Sequence, residues 1–232
     1  PDGSTPRPVV SKLIEAARNA RNHRYSLSKG IPHLRDEIVK RYERNYGVTL
    51  DSEKEAIVTI GAKDALAHLL FAVIGPGDVV VSPNPAYPIH QYGVIMAEGQ
   101  ACTVPMPNPA AFLSSLEDIY RSDQPKPKMV LISFPHNPTT QCLGFDGYKP
   151  PSILQVEGAK EVAVEIFSLS KSYNMAGWRV GFCLGNPKMI GALARIKSYL
   201  DYGVFQPIQI ASIIALRECE DETRKICTMY QK

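Results

Sequence analysis

Lys171 is the residue of this chain best suited to covalent chemistry. It stands in the run Ser168-Leu-Ser-Lys-Ser-Tyr-Asn-Met-Ala-Gly-Trp-Arg179, after the apolar stretch Val162-Ala-Val-Glu-Ile-Phe-Ser-Leu169. That stretch reads as a buried strand. A lysine at the end of a buried strand gives up its proton more readily than a surface lysine, because burial disfavours the charged form. A neutral amine attacks an aldehyde carbon and holds it covalently. Hydroxyls flank the lysine at Ser170 and Ser172. Ser168 and Arg179 are suited to grip a phosphate, the arginine through two parallel charged hydrogen bonds. A small molecule with both an aldehyde and a phosphate would engage them all. Read alone, a lysine here is more often an exposed residue of a polar turn; the whole segment favours the chemical reading.

These side chains need a frame, and the hydrophobic pattern supplies one. Residues 8–20 and 33–46 read as amphipathic helices, the second with Leu34, Ile38, Val39, Tyr42 and Tyr46 near helical spacing. From residue 56 strands and helices alternate: strand 56–60, helix 63–73, strand 78–82, helix 87–97, strand 101–104 and helix 112–120. Strands 129–134, 162–169 and 179–184 follow. Such alternation predicts an α/β fold with a mostly parallel sheet covered on both faces. Gly61-Ala-Lys63 falls between a strand and a helix, where backbone N–H groups and the helix dipole favour an anion. Taken alone, a glycine there is usually only a turn. Tyr87, in Asn84-Pro-Ala-Tyr-Pro88, and Asn137, in Pro135-His-Asn-Pro-Thr139, each follow a predicted strand. An aromatic ring at such a place can stack on a flat ligand. Asn-Pro by itself is only a turn signal.

The lysine segment resembles the cofactor motif of the fold-type I pyridoxal-phosphate aminotransferases (class I/II). It is most similar to their alanine transaminase and LL-diaminopimelate aminotransferase branch, in which Ser-Lys-Ser-Tyr-Asn-Met-Ala-Gly-Trp-Arg recurs. The resemblance runs in order through almost the whole chain. It implies a three-layer α/β/α large domain and pyridoxal 5'-phosphate as cofactor, with Lys171 as the catalytic residue that holds it. Gly61, Ala62, Lys63, Ser168, Ser170 and Arg179 would bind the phosphate side. Tyr87 would stack on the ring, and Asn137 would donate to its phenolic oxygen. Tyr25, in Tyr25-Ser-Leu-Ser-Lys-Gly30, would reach the phosphate of the neighbouring subunit, which makes a homodimer part of the site. The implied activity moves an amino group between an amino acid, alanine or aspartate, and a 2-oxo acid such as 2-oxoglutarate. Two other readings stay open at this point. One is another pyridoxal-phosphate reaction on the same fold, a lyase or decarboxylase; the other is a non-catalytic binding protein that has kept the fold.

One junction departs from the resemblance. After Asn137-Pro-Thr-Thr-Gln-Cys142 the family continues with a helix and a strand that ends in the aspartate that pairs with the ring nitrogen. Here Leu143-Gly-Phe-Asp-Gly-Tyr148 follows at once. A crossover needs at least about ten to twelve residues, so a βα unit is missing at 142/143. The expected organisation is an N-terminal segment over 1–24, a large cofactor-binding domain over 25–205, and over 206–232 the start of a helix leading to a small domain largely absent from this chain. The arginine that would bind the substrate carboxylate belongs to that absent part.

Composition narrows the partners. The net charge is only +3, which gives no electrostatic case for nucleic acid. Apolar runs are too short to span a bilayer, and the first residues lack the plan of a signal peptide. Cys102, Cys142, Cys183, Cys219 and Cys227 are scattered and odd in number. They read as free thiols of a cytoplasmic protein, with no metal site.

Overall fold

The computed structural model of the chain describes residues 3–122, 125–142 and 150–230. In chain order the elements are α1 (Arg7–Arg18), α2 (Pro32–Tyr46), β1 (Ala56–Thr59), α3 (Ala62–Val73), β2 (Val79–Asn84), α4 (Ile89–Met96), β3 (Gln100–Pro105), α5 (Pro109–Arg121) and β4 (Met129–Val130). Then come α6 (Ala159–Val162), β5 (Val164–Ser168), α7 (Leu169–Ser172), β6 (Gly181–Gly185), α8 (Pro187–Leu200), α9 (Gln206–Glu218) and α10 (Glu220–Tyr230). The chain forms two compact units, one of Pro1–Leu69 with Pro151–Lys232 and one of Leu70–Pro150.

The first unit is built on the sheet β1-β6-β5. β6 runs antiparallel to both neighbours, so β1 and β5 share a direction. Every residue of β1 and β6 is buried, as expected of a sheet covered on both faces. Ala56, Val58, Phe182 and Leu184 pack on one face with Leu34, Ile38 and Tyr42 of α2 and Ala211, Ala215 and Leu216 of α9. α8 packs against β1 and β6 as well. Strand residues alternate sides, so Ile57 and Cys183 point away from the first face. Helix α2 follows from its sequence: Pro32 pre-sets the first turn, and Gly47, at φ +67°, ends it with its N–H on Glu43 O. Burying each of Leu34, Ile38 and Tyr42 is worth about 1.5–3 kcal/mol.

The second unit holds the parallel sheet β3-β2-β4. Val81, Val104, Met106 and Phe112 form its core. Here the structure corrects two expectations. The strand expected over 129–134 pairs with β2 only at Met129 and Val130. Leu131 N–H still reaches Val81 O at 2.8 Å, but Ile132 is exposed, so the run keeps its apolar character without a ladder. In the first unit, Val162 of the run 162–169 is the last residue of helix α6, and β5 begins only at Val164 and is half-buried along its length. The junction residues 143–149 lie outside the described residues.

Candidate active site

The register of the first sheet sets the geometry. Thr59 pairs with Gly181, and Gly181 pairs with Ser168 on its other side. Three features therefore meet at one end of the sheet: the turn after β1, the residues just before β6, and those just after β5.

The turn after β1 is Ile60-Gly61, with Ala62 and Lys63 opening α3. An α-helix leaves its first N–H groups without acceptors one turn back, and its dipole adds positive charge there. Gly61 sits at φ +85°, where L side chains are strained, and a Cβ there would lie 2.4 Å from Arg179 Nη2. The bare glycine thus lets the guanidinium lie against the turn. Arg179 itself takes a left-handed backbone at φ 54°, after the short turn Ala176–Trp178, and its Nη1 donates to Ala176 O at 2.9 Å. Gly181 is equally crowded: a Cβ there would meet Phe167 O at 2.8 Å, Gly61 C at 2.9 Å and Ala62 N at 3.0 Å. Nothing in the motif reading singled out Gly181; its place directly after Arg179-Val was the available signal.

On the third strand, Ser168 caps α7, its Oγ accepting Ser170 N–H at 3.2 Å. Lys171 lies in this single turn. Tyr173 and Met175, both fully in the core, pin the segment from one side. Thr223 Oγ1 of α10 donates to Ser172 O at 3.0 Å, and Thr5 Oγ1 donates to Asn174 O at 2.9 Å. Lys171 itself is exposed. The expectation of a lysine at the end of a buried strand is therefore corrected, because the chain turns into α7 after Ser168 and carries Lys171 away from the half-buried strand.

The remaining predicted residues belong to other segments of the chain. Tyr87 and Asn137 belong to the second unit, in the loops after β2 and β4, at the carboxyl ends of parallel strands, where open α/β sheets bind ligands. Tyr87 is half-buried and meets the His90 ring edge-on at 6.1 Å. Asn137 is exposed, in a loop closed by His136 N–H on Gln141 O and Thr140 N–H on His136 O, each 2.7 Å. Tyr25 is 84% exposed, and its ring lies 4.6 Å from that of Tyr202. Its segment is held by fully buried Gln209, whose Nε2 donates to Ser26 Oγ at 2.7 Å and whose Oε1 accepts Ile31 N–H at 2.8 Å.

The donor set at the sheet end, a helix N-terminus, a guanidinium, serine hydroxyls and an amine, fits a phosphate-bearing aldehyde. The cradle depends on Gly61 and Gly181 lacking a Cβ. Pyridoxal phosphate is an aldehyde of that kind, and the residues present fit it.

Comparison with known proteins shows the family. The chain matches the family model for aminotransferases of class I and II over residues 1–146 and 141–231, and it belongs to that family, whose members depend on pyridoxal phosphate. It is 46% identical to glutamate-pyruvate aminotransferase AlaC of Escherichia coli (strain K12), over all of this chain and 63% of that protein. It is 37% identical to LL-diaminopimelate aminotransferase of Aquifex aeolicus (strain VF5), over all of this chain and 67% of that protein. Among solved structures, apo-BacF of Bacillus subtilis superposes with a TM-score of 0.87 at 31% identity, covering 100% of this chain and 69% of that one. A probable N-succinyldiaminopimelate aminotransferase from Thermus thermophilus gives 0.89 at 30% identity, covering 99% and 69%. The chain spans 63% and 64% of the length of the two curated relatives with the highest identity given. The match to AlaC runs over 260 positions against this chain's 232 residues, 28 more than the chain supplies.

Proposed function

We propose that this chain is the cofactor-holding part of an aminotransferase that moves an amino group between an amino acid and a 2-oxo acid. The observation that carries this reading is the meeting of Gly61–Lys63, Ser168 and Arg179 at one end of β1-β6-β5, with Lys171 in the single turn that follows β5. When bound, pyridoxal phosphate supplies an aldehyde carbon for the lysine and a ring that draws electrons from the substrate's α-carbon. The N–H groups of Ala62 and Lys63, the hydroxyls of Ser168 and Ser170 and the guanidinium of Arg179 would hold the phosphate. Lys171 Nζ would hold the aldehyde end. The same nitrogen, as a free amine, would be the base that takes the proton from the substrate's α-carbon. By the family resemblance, Tyr87 would cover the ring face and Asn137 would donate to the phenolic oxygen.

Tyr25 serves the phosphate of a second copy in a homodimer; its exposed ring beside Tyr202 supports this role. A βα unit present in relatives falls at 142/143; the two-piece family match, whose parts meet at residues 141–146, and the 28 additional aligned positions support that break. The protein works in the cytoplasm, a reading supported by its five free cysteines. Among the described residues no helix is long and apolar enough to cross a membrane.

The name of the AlaC relative makes glutamate with pyruvate the first pair to test, and the LL-diaminopimelate aminotransferases supply the second donor. The full-length protein, incubated with pyridoxal phosphate, glutamate and pyruvate, is expected to form alanine and 2-oxoglutarate in equal amounts. Bound cofactor with no amino transfer from glutamate, alanine, aspartate or LL-diaminopimelate would reject the reading.

A further inference from the structure

Lys197 of α8 has no part in the roles above, yet its side chain is wholly buried with its ammonium 3.0 Å from Asp64 Oδ2 and 2.8 Å from Asp201 Oδ2. Burying an ammonium is costly and is offset only by close, well-directed partners. Each carboxylate also holds a backbone turn. Asp64 Oδ2, in the first turn of α3, accepts the N–H of Ile60 at 2.9 Å, directly before Gly61. Asp201 Oδ1 accepts the N–H of Gly203 at 2.6 Å. Gly203 lies at φ +79°, and a Cβ there would meet Leu27 O at 2.8 Å. The turn 201–203 therefore rests on the segment that carries Tyr25, beside the Tyr25–Tyr202 ring contact. His68 Nδ1 approaches Asp64 Oδ1 to 2.9 Å but in a direction that makes no hydrogen bond. Asp64, His68 and Asp201 are grouped as metal ligands are, but the Lys197 ammonium already bonds both carboxylates and fills a cation's place.

We propose that Lys197 is a positioning residue that locks the turn Gly61–Lys63 to the Tyr25–Tyr202 face. The parts of the site that this unit contributes to its own cofactor and to the neighbouring subunit then share one rigid support. This rests on the reading that the turn holds a phosphate. Without the ammonium, two carboxylates remain whose ligand atoms lie within 4.8 Å of each other, and like charges at that range repel. The Ile60 and Gly203 turns are then driven apart.

The test uses the full-length protein, pyridoxal phosphate as the probe, and hydrogen exchange at the Ile60 and Gly203 amides. Lys197→Met keeps the apolar stem. It is expected to weaken pyridoxal phosphate binding about ten- to a hundred-fold, the range for losing charged hydrogen bonds, and to speed exchange at both amides together. Adding Asp64→Asn removes the repulsion and leaves a side-chain oxygen for the Ile60 N–H. Most of the affinity and the slow exchange at Ile60 are expected to return. Parental affinity in Lys197→Met overturns the proposal, as does a loss that Asp64→Asn does not rescue. Should Lys197→Met alone fail to fold, the double variant decides by hydrogen exchange: slow exchange at Ile60 with fast exchange at Gly203 supports the lock, and slow exchange at both amides overturns it. A parent protein that binds no pyridoxal phosphate would reject the phosphate reading, while the paired exchange at Ile60 and Gly203 still decides whether Lys197 couples the two turns.

Discussion

Gly181→Ala isolates the cradle from the rest of the fold. The added methyl would sit 2.8 Å from Phe167 O, 2.9 Å from Gly61 C and 3.0 Å from Ala62 N. All three are backbone atoms, so no flexible side chain can swing aside. Carbon atoms in contact settle at about 3.5–4.0 Å, so the turn must retreat from β6 by on the order of half an ångström. Overpacking of this kind costs about 1–3 kcal/mol. The turn that moves is the one assigned to the phosphate, and small misplacements are expensive in such sites; a loss of roughly ten-fold in pyridoxal phosphate affinity is expected. Gly191→Ala in α8 is the control, because a Cβ there meets nothing within 4 Å. It is expected to be neutral or stabilising by up to about 1 kcal/mol through helix propensity. Urea midpoints at constant slope read the stability, and equilibrium dialysis reads the affinity. A Gly181→Ala protein with the stability and affinity of the parent would show that the close approach of β6 to the turn does not matter.

Burial pushes the Cys183 thiol up to about 12, and burial together with Glu222 and Glu218 pushes Cys219 up to about 11. Iodoacetamide near neutral pH is therefore expected to modify exposed Cys142 and Cys227 and to spare Cys183 and Cys219 in the folded protein; mass mapping that finds the two buried thiols modified at native conditions would contradict this packing. Burial, reinforced by nearby His136, holds the His90 imidazole below its ordinary value of 6.5. The unfolded chain then binds more protons than the folded one, so stability is complete above pH 6.5 and declines as pH falls from there toward the lower folded value. Unfolding midpoints at pH 7.5 and 5.5 should differ less in His90→Gln than in the parent, and an equal difference would remove His90 as a source of the pH dependence.

Much of the frame was legible because local signals and tertiary packing agreed. Pro32, Gly47 and the apolar spacing between them bound α2 within a residue or two. Gly61 marks a real β-to-α turn. The antiparallel placement of β6 was not legible, since strand direction depends on which strands pair and not on apolar content. Its start moved to Gly181 because Arg179 takes a left-handed backbone. Lys171 was read as strand-end and buried, but nothing in an apolar run marks where the chain turns out of it. The Asp64–Lys197–Asp201 group was invisible for another reason: its charges look like ordinary surface residues until α3 and α8 are brought together. Gly181 was likewise silent, because its value lies in the atoms a Cβ would strike.

Every role assigned above depends on Lys171 being where this chain takes hold of its cofactor. The most direct test is to incubate the full-length protein with pyridoxal phosphate, reduce with borohydride, digest, and locate the added mass. One stable adduct on Lys171 is predicted, lost in Lys171→Ala while the circular dichroism spectrum is unchanged. An adduct on a different lysine, or one that persists in Lys171→Ala, would contradict it.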